Sequence, residues 1–424
     1  MFMYRFKPSP TSMKLGFAVS AAVLAVALTV SAMLSVFPPL HCAAASEGSA
    51  GWRSDLSGAV CVPAGDGIRP AVLTGVSARG AVLMEAASGD VIFGQNPNTR
   101  LPMASTTKIM TALVALERLS LDTVVTVTPD SVGVEGSSIY LIEGETLTLE
   151  QLLYALLLES ANDAATAIAV AVAGSVEKFA DMMNEKAAEL GLTDTHFVNP
   201  HGLDHEEHYT TARELALIAR AALAHPVFRE ICSTKRKTIP LHGDGGVRLL
   251  LNHNKLLDGY EGCIGVKTGY TKKTGRCLVS AAEREGVTLI AVTLNAPDDW
   301  RDHTAMLDYG FGLYESVTLG GEGFFSAPLW MVSGTREYVM AVSLDSLTVT
   351  LRRDHGAITC VVELPRFEFA PIRNRQVLGR LVFFESRRNG APALLGEVPL
   401  YAAYEVGAID YPPTLWERIT GAFA

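Results

Sequence analysis

The sequence predicts an α+β fold, an antiparallel sheet packed with helices, followed by a smaller all-β domain. Three observations predict it. Strand-like segments lie at both ends of a run of helical patterns over residues 76–317. Short strand-like segments separated by turns fill residues 318–410. The 424 residues are 49% hydrophobic, which is enough apolar material for two or three separate cores.

The first region begins with two strands around a turn at Ser88-Gly89-Asp90, and these are Ala81–Glu85 and Val91–Phe93. Apolar residues then recur at helical spacing over residues 105–118, 148–172, 175–190 and 211–223. Three strands close the region, Ile264–Tyr270, Arg276–Ala282 and Val287–Leu294. The second region contains five strand-like segments, Tyr338–Val342, Leu347–Leu351, Ala357–Leu364, Gln376–Phe384 and Leu395–Tyr401.

The N-terminus has the pattern of an export signal. Three basic residues (Arg5, Lys7 and Lys14) precede a run without charge from Leu15 to Phe37, and Ala43-Ala44-Ala45 follows. This predicts a signal peptide over residues 1–45. An uncleaved anchor is the alternative, and either one puts the rest of the chain outside the cytoplasm. Residues 46–75 are rich in Gly, Ala, Ser and Pro, which predicts a flexible lead-in.

Charge and cysteine content exclude several classes of protein. The net charge is −10, from 35 basic and 45 acidic residues, so a nucleic-acid partner is not expected. Cleavage after Ala45 would leave five cysteines, an odd number that requires a free thiol or an intermolecular bond. Their spacing does not suggest a metal site, and no cofactor is expected.

Ser105-Thr106-Thr107-Lys108 is the first candidate for chemistry. Residues three apart on a helix share a face, so a lysine there could remove the serine proton if burial lowered its pKa. Ser105 would begin a helix, where the helix dipole favours negative charge. A second match, Ser175-Val176-Glu177-Lys178, has no supporting feature and is interpreted as an exposed helix start.

Two further motifs accompany this pair. Ser160-Ala161-Asn162 interrupts an apolar helical stretch, so it is either a cap between two helices or part of a site. Lys267-Thr268-Gly269 lies at the end of a strand, where a cation beside a hydroxyl could hold a carboxylate. The similar Lys273-Thr274-Gly275 falls in the predicted hairpin turn, with its side chains expected to point to solvent.

Together these motifs resemble the signature of penicillin-binding proteins and class A β-lactamases. The segments Ala104–Ala112, Ser160–Ala164, Asn199–Asp204 and Gly265–Thr271 resemble those of D-alanyl-D-alanine carboxypeptidases. The resemblance covers residues 75–315 and implies a β-lactamase/transpeptidase-like catalytic domain. The C-terminal β region resembles the second domain of that family more loosely.

The resemblance implies a mechanism and a substrate. Ser105 attacks the bond between the last two D-alanines of a peptidoglycan pentapeptide, and Lys108 takes its proton. Ser160 relays a proton, Asn162 hydrogen-bonds Lys108 or the substrate, and Lys267 and Thr268 hold the carboxylate. Gly269 gives room for the ligand beside the strand, and the oxyanion hole uses the N–H groups of Ser105 and Tyr270. Arg301 is implied as a second carboxylate-binding residue, and β-lactams are implied as inhibitors.

Several alternatives remain open. Histidine is a common metal ligand, and three lie close together in the sequence at His201, His205 and His208. Their spacing instead favours a polar loop over the floor of the site. Residues 411–424 place Leu415, Trp416, Ile419 and Phe423 near one helical face, so they form either an amphipathic membrane anchor or a packed tail. A secreted β-lactamase is the rival enzyme, and a non-catalytic wall-binding scaffold is the rival of a different class.

Overall fold

The computed structural model describes residues 59–65, 73, 75–242, 245–387 and 390–410. The predicted signal peptide, most of the predicted lead-in and the tail 411–424 lie outside the described residues. The chain divides into two compact units. One comprises Gly65–Leu319 with Thr348–His355, and the other comprises the described residues up to Ala64, Gly320–Leu347 and those from Gly356 onward. The predicted domain bounds stay predictions.

The first unit contains helices on both faces of an antiparallel sheet, so the predicted α+β class is confirmed. Its described helices are α1 (Lys108–Arg118), α2 (Leu149–Leu158), α3 (Asn162–Ala173), α4 (Val176–Glu189), α5 (Ala212–Leu223), α6 (Pro226–Ser233), α7 (Leu256–Gly259) and α8 (Asp299–Leu313). The chain also forms strands β1 (Ala59–Val62), β2 (Gly80–Glu85), β3 (Val91–Gln95), β4 (Val124–Thr126), β5 (Thr146–Thr148), β6 (Arg236–Pro240), β7 (Val247–Leu251), β8 (Cys263–Thr271), β9 (Gly275–Arg284) and β10 (Val287–Leu294).

The main sheet of this unit has the strand order β3-β2-β10-β9-β8, and every neighbouring pair is antiparallel. Alternate residues of a strand point to opposite faces, so each strand supplies two cores. On β2, Val82 and Met84 pack in the core with most of the helices. Ala81 and Leu83 pack in the other core, with residues of α8. Strand β8 is left at the edge of this sheet.

Local hydrogen bonds set the start of three helices. The hydroxyl of Thr148 accepts from Gln151 N, and the Gln151 side chain bonds back to Thr148 N, which is a capping box. Ser175 and Thr211 cap α4 and α5 through their hydroxyls, which accept from the N–H groups of Lys178 and Glu214. Ser175 is thus a helix cap, which confirms the interpretation of Ser175–Lys178 as a helix start.

The short strands β4 to β7 and the helices α6 and α7 were not predicted, and two further features of this unit differ from the predicted elements. The helical pattern over 148–172 is split into α2 and α3, and Ser160 in the break has a φ of +60°. Helix α8 was not predicted. Its polar residues Asp302 and His303 are buried, and they bond Ser77 and the pair Ser280 and Thr293, respectively. Because these buried residues are polar, the buried face of α8 does not show the apolar pattern that predicts a helix.

The remaining strands of the chain are β11 (Tyr314–Gly320), β12 (Ser326–Val332), β13 (Tyr338–Ser343), β14 (Ser346–Arg352), β15 (Ile358–Glu363), β16 (Phe367–Phe369), β17 (Val377–Glu385) and β18 (Ala393–Ala402). The second unit contains a sheet in the order β1-β15-β17-β18-β13-β12-β16, in which all neighbours are antiparallel except the parallel pair β12 and β16.

One segment in this part of the chain differs from the prediction. Strand β1 lies within the predicted flexible lead-in over residues 46–75, and it pairs with β15. The four apolar residues of β1 are too few to stand out in a Gly- and Ala-rich segment, and Cys61 is buried. Across the described ranges, no helix is long and apolar enough to cross a membrane.

Candidate active site

Ser105 and Lys108 meet at the start of α1. Ser105 lies in a turn of 3-10 helix, Ala104–Thr107, that leads directly into α1. Nζ of Lys108 lies 3.0 Å from Oγ of Ser105, so the predicted shared face exists. The preceding Ala104 has a φ of +47°, a costly conformation for a residue with a Cβ. The backbone is therefore strained at the residue before Ser105.

The side-chain nitrogen of Lys108 is enclosed by three oxygen atoms. Besides Ser105 Oγ, Nζ lies 2.7 Å from Asn162 Oδ1 and 2.7 Å from the backbone oxygen of His201. The side chain is fully buried. Burial lowers the pKa of Lys108 well below its ordinary value, the positive charge of Lys267 lowers it further, and Asp163 acts in the opposite direction.

The break between α2 and α3 brings Ser160 and Asn162 to the same place. Ser160 is 5% exposed and lines the same pocket as Ser105. Asn162 Nδ2 donates to the backbone oxygen of Glu135 at 2.5 Å. The buried carboxylate of Asp163 accepts from Ser138 Oγ and from the N–H of Leu141. These bonds fix the loop that precedes β5 against the start of α3.

Edge strand β8 forms the opposite wall. Lys267 is 2% exposed, and burial lowers its pKa to about 7, with Glu159 opposing the shift. Its Nζ donates to the backbone oxygen of Thr268 at 3.1 Å. A Cβ on Gly269 would lie 3.0 Å from Ser105 N. Glycine therefore lets this strand approach the backbone of the serine.

A cavity of about 300 Å³ opens between these elements. Its lining residues are Ser105, Ser137, Ser160, His253, Thr268, Gly269, Tyr270, Arg276, Cys277, Asp299 and Trp300. It brings together residues of all three predicted motifs. Lys108 and Asn162 are not among the lining residues. Lys108 contacts both Ser105 and Asn162.

Arg301 is not among the lining residues. Its side chain is 68% exposed and forms ion pairs with Asp298 at 3.0 Å and Asp302 at 3.7 Å. Arg276 on β9 lines the pocket instead. The sequence analysis did not single out Arg276, because a strand arginine has no distinguishing signal until its neighbours are known.

The second Lys-Thr-Gly lies in the hairpin turn between β8 and β9, as predicted. One detail was wrong, because Thr274 does not point to solvent. It is 1% exposed, and its hydroxyl donates to Asp204 Oδ1 at 3.0 Å. The turn is thus tied to the loop that contains His201.

That loop uses its histidines inside the protein. Nδ1 of His208 accepts from Val198 N at 3.0 Å, so Nε2 is the nitrogen that donates to Thr107 Oγ1 at 2.7 Å. Burial lowers the pKa of His208 to about 4 and that of His201 to about 3. Both rings are neutral near pH 7. The contact of His201 with Lys108 is through a backbone oxygen, for which no residue type gives a signal in the sequence.

A serine hydroxyl in contact with a buried lysine of lowered pKa is typical of the serine enzymes that use lysine as the proton acceptor. Comparison with known proteins narrows the class. A profile of the family described as D-alanyl-D-alanine carboxypeptidase, peptidase family S11, matches residues 69–298. The chain belongs to this family, so the predicted resemblance is confirmed.

Individual relatives agree with this assignment. The D-alanyl-D-alanine carboxypeptidase DacF of Bacillus subtilis is 32% identical over 335 residues, covering 77% of this chain and 85% of the relative. DacB2 of Mycobacterium tuberculosis is 36% identical, covering 56% and 84%. Among solved structures, penicillin-binding protein 5 of Haemophilus influenzae is 25% identical with a TM-score of 0.58, covering 80% and 99%. The DD-transpeptidase of Streptomyces K15 is 36% identical with a TM-score of 0.55, covering 57% and 100%.

Membership of the family identifies the chain as a serine-type D-alanyl-D-alanine carboxypeptidase of the penicillin-binding class, with a β-lactamase-like catalytic fold. The family acts on peptidoglycan stem peptides and binds β-lactams. The activity predicted from the sequence is therefore confirmed at this level. The family assignment supports the carboxypeptidase and not the two rival interpretations, the β-lactamase and the non-catalytic scaffold.

Proposed function

We propose that this enzyme removes the terminal D-alanine of peptidoglycan stem peptides through an acyl-enzyme on Ser105, and that penicillin acylates the same hydroxyl. The observation that carries the proposal is the 3.0 Å contact between Ser105 Oγ and the fully buried Nζ of Lys108. A serine hydroxyl is a weak nucleophile until a base accepts its proton, and a buried amine of lowered pKa is such a base.

The three neighbours of Lys108 fit the neutral amine. An amine has two N–H donors and one lone pair. The oxygens of Asn162 and His201 can only accept, and they lie at 2.7 Å each. The hydroxyl of Ser105 can donate to the lone pair. In this arrangement Asn162 and His201 orient the amine, and the free lone pair receives the Ser105 proton as the hydroxyl attacks the carbonyl carbon.

The leaving D-alanine needs a proton on its nitrogen. Ser160 lines the pocket beside Ser105, and we assign it the relay of that proton, assisted by Lys267. With a pKa of about 7, Lys267 exchanges protons readily near neutral pH. The tetrahedral oxygen would accept from the N–H groups of Ser105 and Tyr270, an assignment supported by the close approach of Gly269 to Ser105 N. Water then hydrolyses the ester by the same proton transfers in reverse.

We further propose that the chain is exported and works in the cell wall or at the outer face of the cytoplasmic membrane. The N-terminal basic residues, uncharged run and Ala-rich end support export. The apolar residues of the tail 411–424 support membrane association through the C-terminus. A substrate in the peptidoglycan requires such a location.

The test is the intact mass of the protein after incubation with benzylpenicillin, followed by an assay of D-alanine release from a pentapeptide. The wild type should gain one penicilloyl group, and Ser105→Ala should gain none and release no D-alanine. Ser175→Ala is the matched control, because that serine also precedes a lysine by three residues but caps a helix. Its reaction should equal that of the wild type.

Other outcomes would refute parts of this proposal. Penicillin consumed without a lasting adduct would indicate a β-lactamase. An unmodified wild type with intact penicillin would refute the assignment of Ser105 as nucleophile.

A further inference from the structure

We propose that Arg276, held in place by Asp299, binds the terminal carboxylate of the substrate in this enzyme. The inference deepens the proposed function and rests on it. It differs from the expectation drawn from the family resemblance, which assigned this role to Arg301 together with the Lys-Thr-Gly motif.

The register of the sheet puts Arg276 beside the substrate-binding motif. Tyr270 on β8 is paired with Arg276 on β9, so their side chains leave the same face of the sheet. Thr268 is two residues from Tyr270 and shares that face, whereas Lys267 is on the other. Because β8 is the edge strand, a peptide lying along it would have the hydroxyl of Thr268 and the guanidinium of Arg276 on one side. Both residues line the pocket that contains Ser105.

Asp299 and Trp300 fix the guanidinium. Nε and Nη2 of Arg276 lie 3.0 Å and 2.8 Å from Oδ1 of Asp299. The Asp299 side chain is 4% exposed, while that of Arg276 is 42% exposed. The guanidinium carbon lies 5.7 Å from the centre of the Trp300 ring, a cation–π distance. A guanidinium has five N–H donors in a planar fork, so this anchoring leaves donors for a carboxylate on the pocket side.

The other cations near the site are committed elsewhere. Lys108 and Lys267 are fully buried, and their Nζ atoms contact oxygens of the protein. Arg301 is paired with Asp298 outside the pocket. Among the lining residues that the structure describes, Arg276 is the one guanidinium, and it is partly open to solvent. A carboxylate entering the pocket therefore meets this group.

The experiment uses the full chain and two synthetic peptides, one ending in D-alanyl-D-alanine and the other ending in the corresponding carboxamide. The ratio of kcat/KM between wild type and variant is measured on each peptide. Arg276→Gln should lose about tenfold or more on the acid peptide, the loss typical of a removed charge-assisted bond. On the carboxamide the wild type and variant should be nearly equal, since no charge is present to be recognised. Arg276→Lys should recover part of the loss.

Two further variants test folding and strand position. Arg276→Gln leaves Asp299 buried without its cation, so the double variant R276Q/D299N removes that charge as well and should show the same selective loss. Arg284→Gln is the matched control, because Arg284 is on the same strand, pairs with Asp308 and stacks on Tyr260, but is not part of the pocket. It should behave as the wild type on both peptides.

The outcomes separate this inference from the proposed function. If the wild type releases D-alanine and R276Q is equally active, or loses the same factor on both peptides, the inference is wrong and the proposed function stands. A selective loss in Arg301→Gln with R276Q unchanged would return the role to Arg301. If the wild type releases no D-alanine, the proposed function fails and the inference fails with it.

Discussion

Replacing Gly202 by alanine should disturb the turn that holds Ser105. Gly202 has a φ of +88°, and an added Cβ would overlap the carbonyl oxygen of Ala104 and lie 2.9 Å from Thr107 Oγ1. Ala104 precedes the nucleophile, and Thr107 is bonded to His208. The residue before Gly202, His201, supplies the oxygen that contacts Lys108. One methyl group would therefore push apart the loop and the turn that together position the serine and its base.

The magnitude follows from two separate costs. An L-residue at positive φ costs about 1–2 kcal/mol. Overpacking against backbone atoms that cannot move freely costs about 1–3 kcal/mol more. The free energy of unfolding should thus fall by about 2–5 kcal/mol. Gly174→Ala is a matched control, because Gly174 has a φ of +82° and nothing within 4 Å of the added Cβ. It should lose only the first cost.

The assay combines urea denaturation, followed by circular dichroism, with the second-order rate constant for acylation by benzylpenicillin. Gly202→Ala should be less stable than Gly174→Ala and should acylate about 10–100-fold more slowly, because a small displacement of a nucleophile is costly. Gly174→Ala should acylate at the wild-type rate. Equal stability of the two variants, with unchanged acylation by Gly202→Ala, would show that the loop does not support the turn.

Two further predictions concern the buried lysines. Acylation should fall at low pH as Lys108 is protonated, and should fall again as pH rises through about 7 and Lys267 loses its charge. Lys267→Arg, whose charge persists, should show no alkaline decline, and a decline at the same pH in that variant would assign it to another group. Lys267→Met should abolish D-alanine release yet stabilise the fold at pH 6 by about 1–4 kcal/mol, because burial penalises the charged lysine. This gain in stability should shrink as pH rises toward 10.5. Urea denaturation at several pH values measures it, and a gain that grew with pH would contradict the reasoning.

The amino-acid sequence was sufficient to predict the fold class, the five strands of the main sheet, the helices α1 to α5 (with α2 and α3 as one helix) and the three motifs. These are local signals. Period-2 and period-3.6 apolar patterns report which face of an element is buried, and Ser105 and Lys108 are only three residues apart on one helical turn. The resemblance of the segments around the motifs to one family predicted which reaction the enzyme catalyses. The local context also predicted that Ser175 begins a helix and that Lys273 and Thr274 lie in a hairpin turn, although Thr274 is buried.

Long-range packing determines how the site is completed. The oxygen of His201 reaches Lys108 across 93 positions of the sequence, and the bond from Asn162 spans 54. The contact between Arg276 and Asp299 depends on how strand β9 packs against helix α8. A backbone oxygen has no residue identity, and an arginine on a strand is ordinary until its buried carboxylate is known. Such contacts join segments that are far apart in the chain, and no local sequence pattern reports them. They form only when the sheet and the helices pack together.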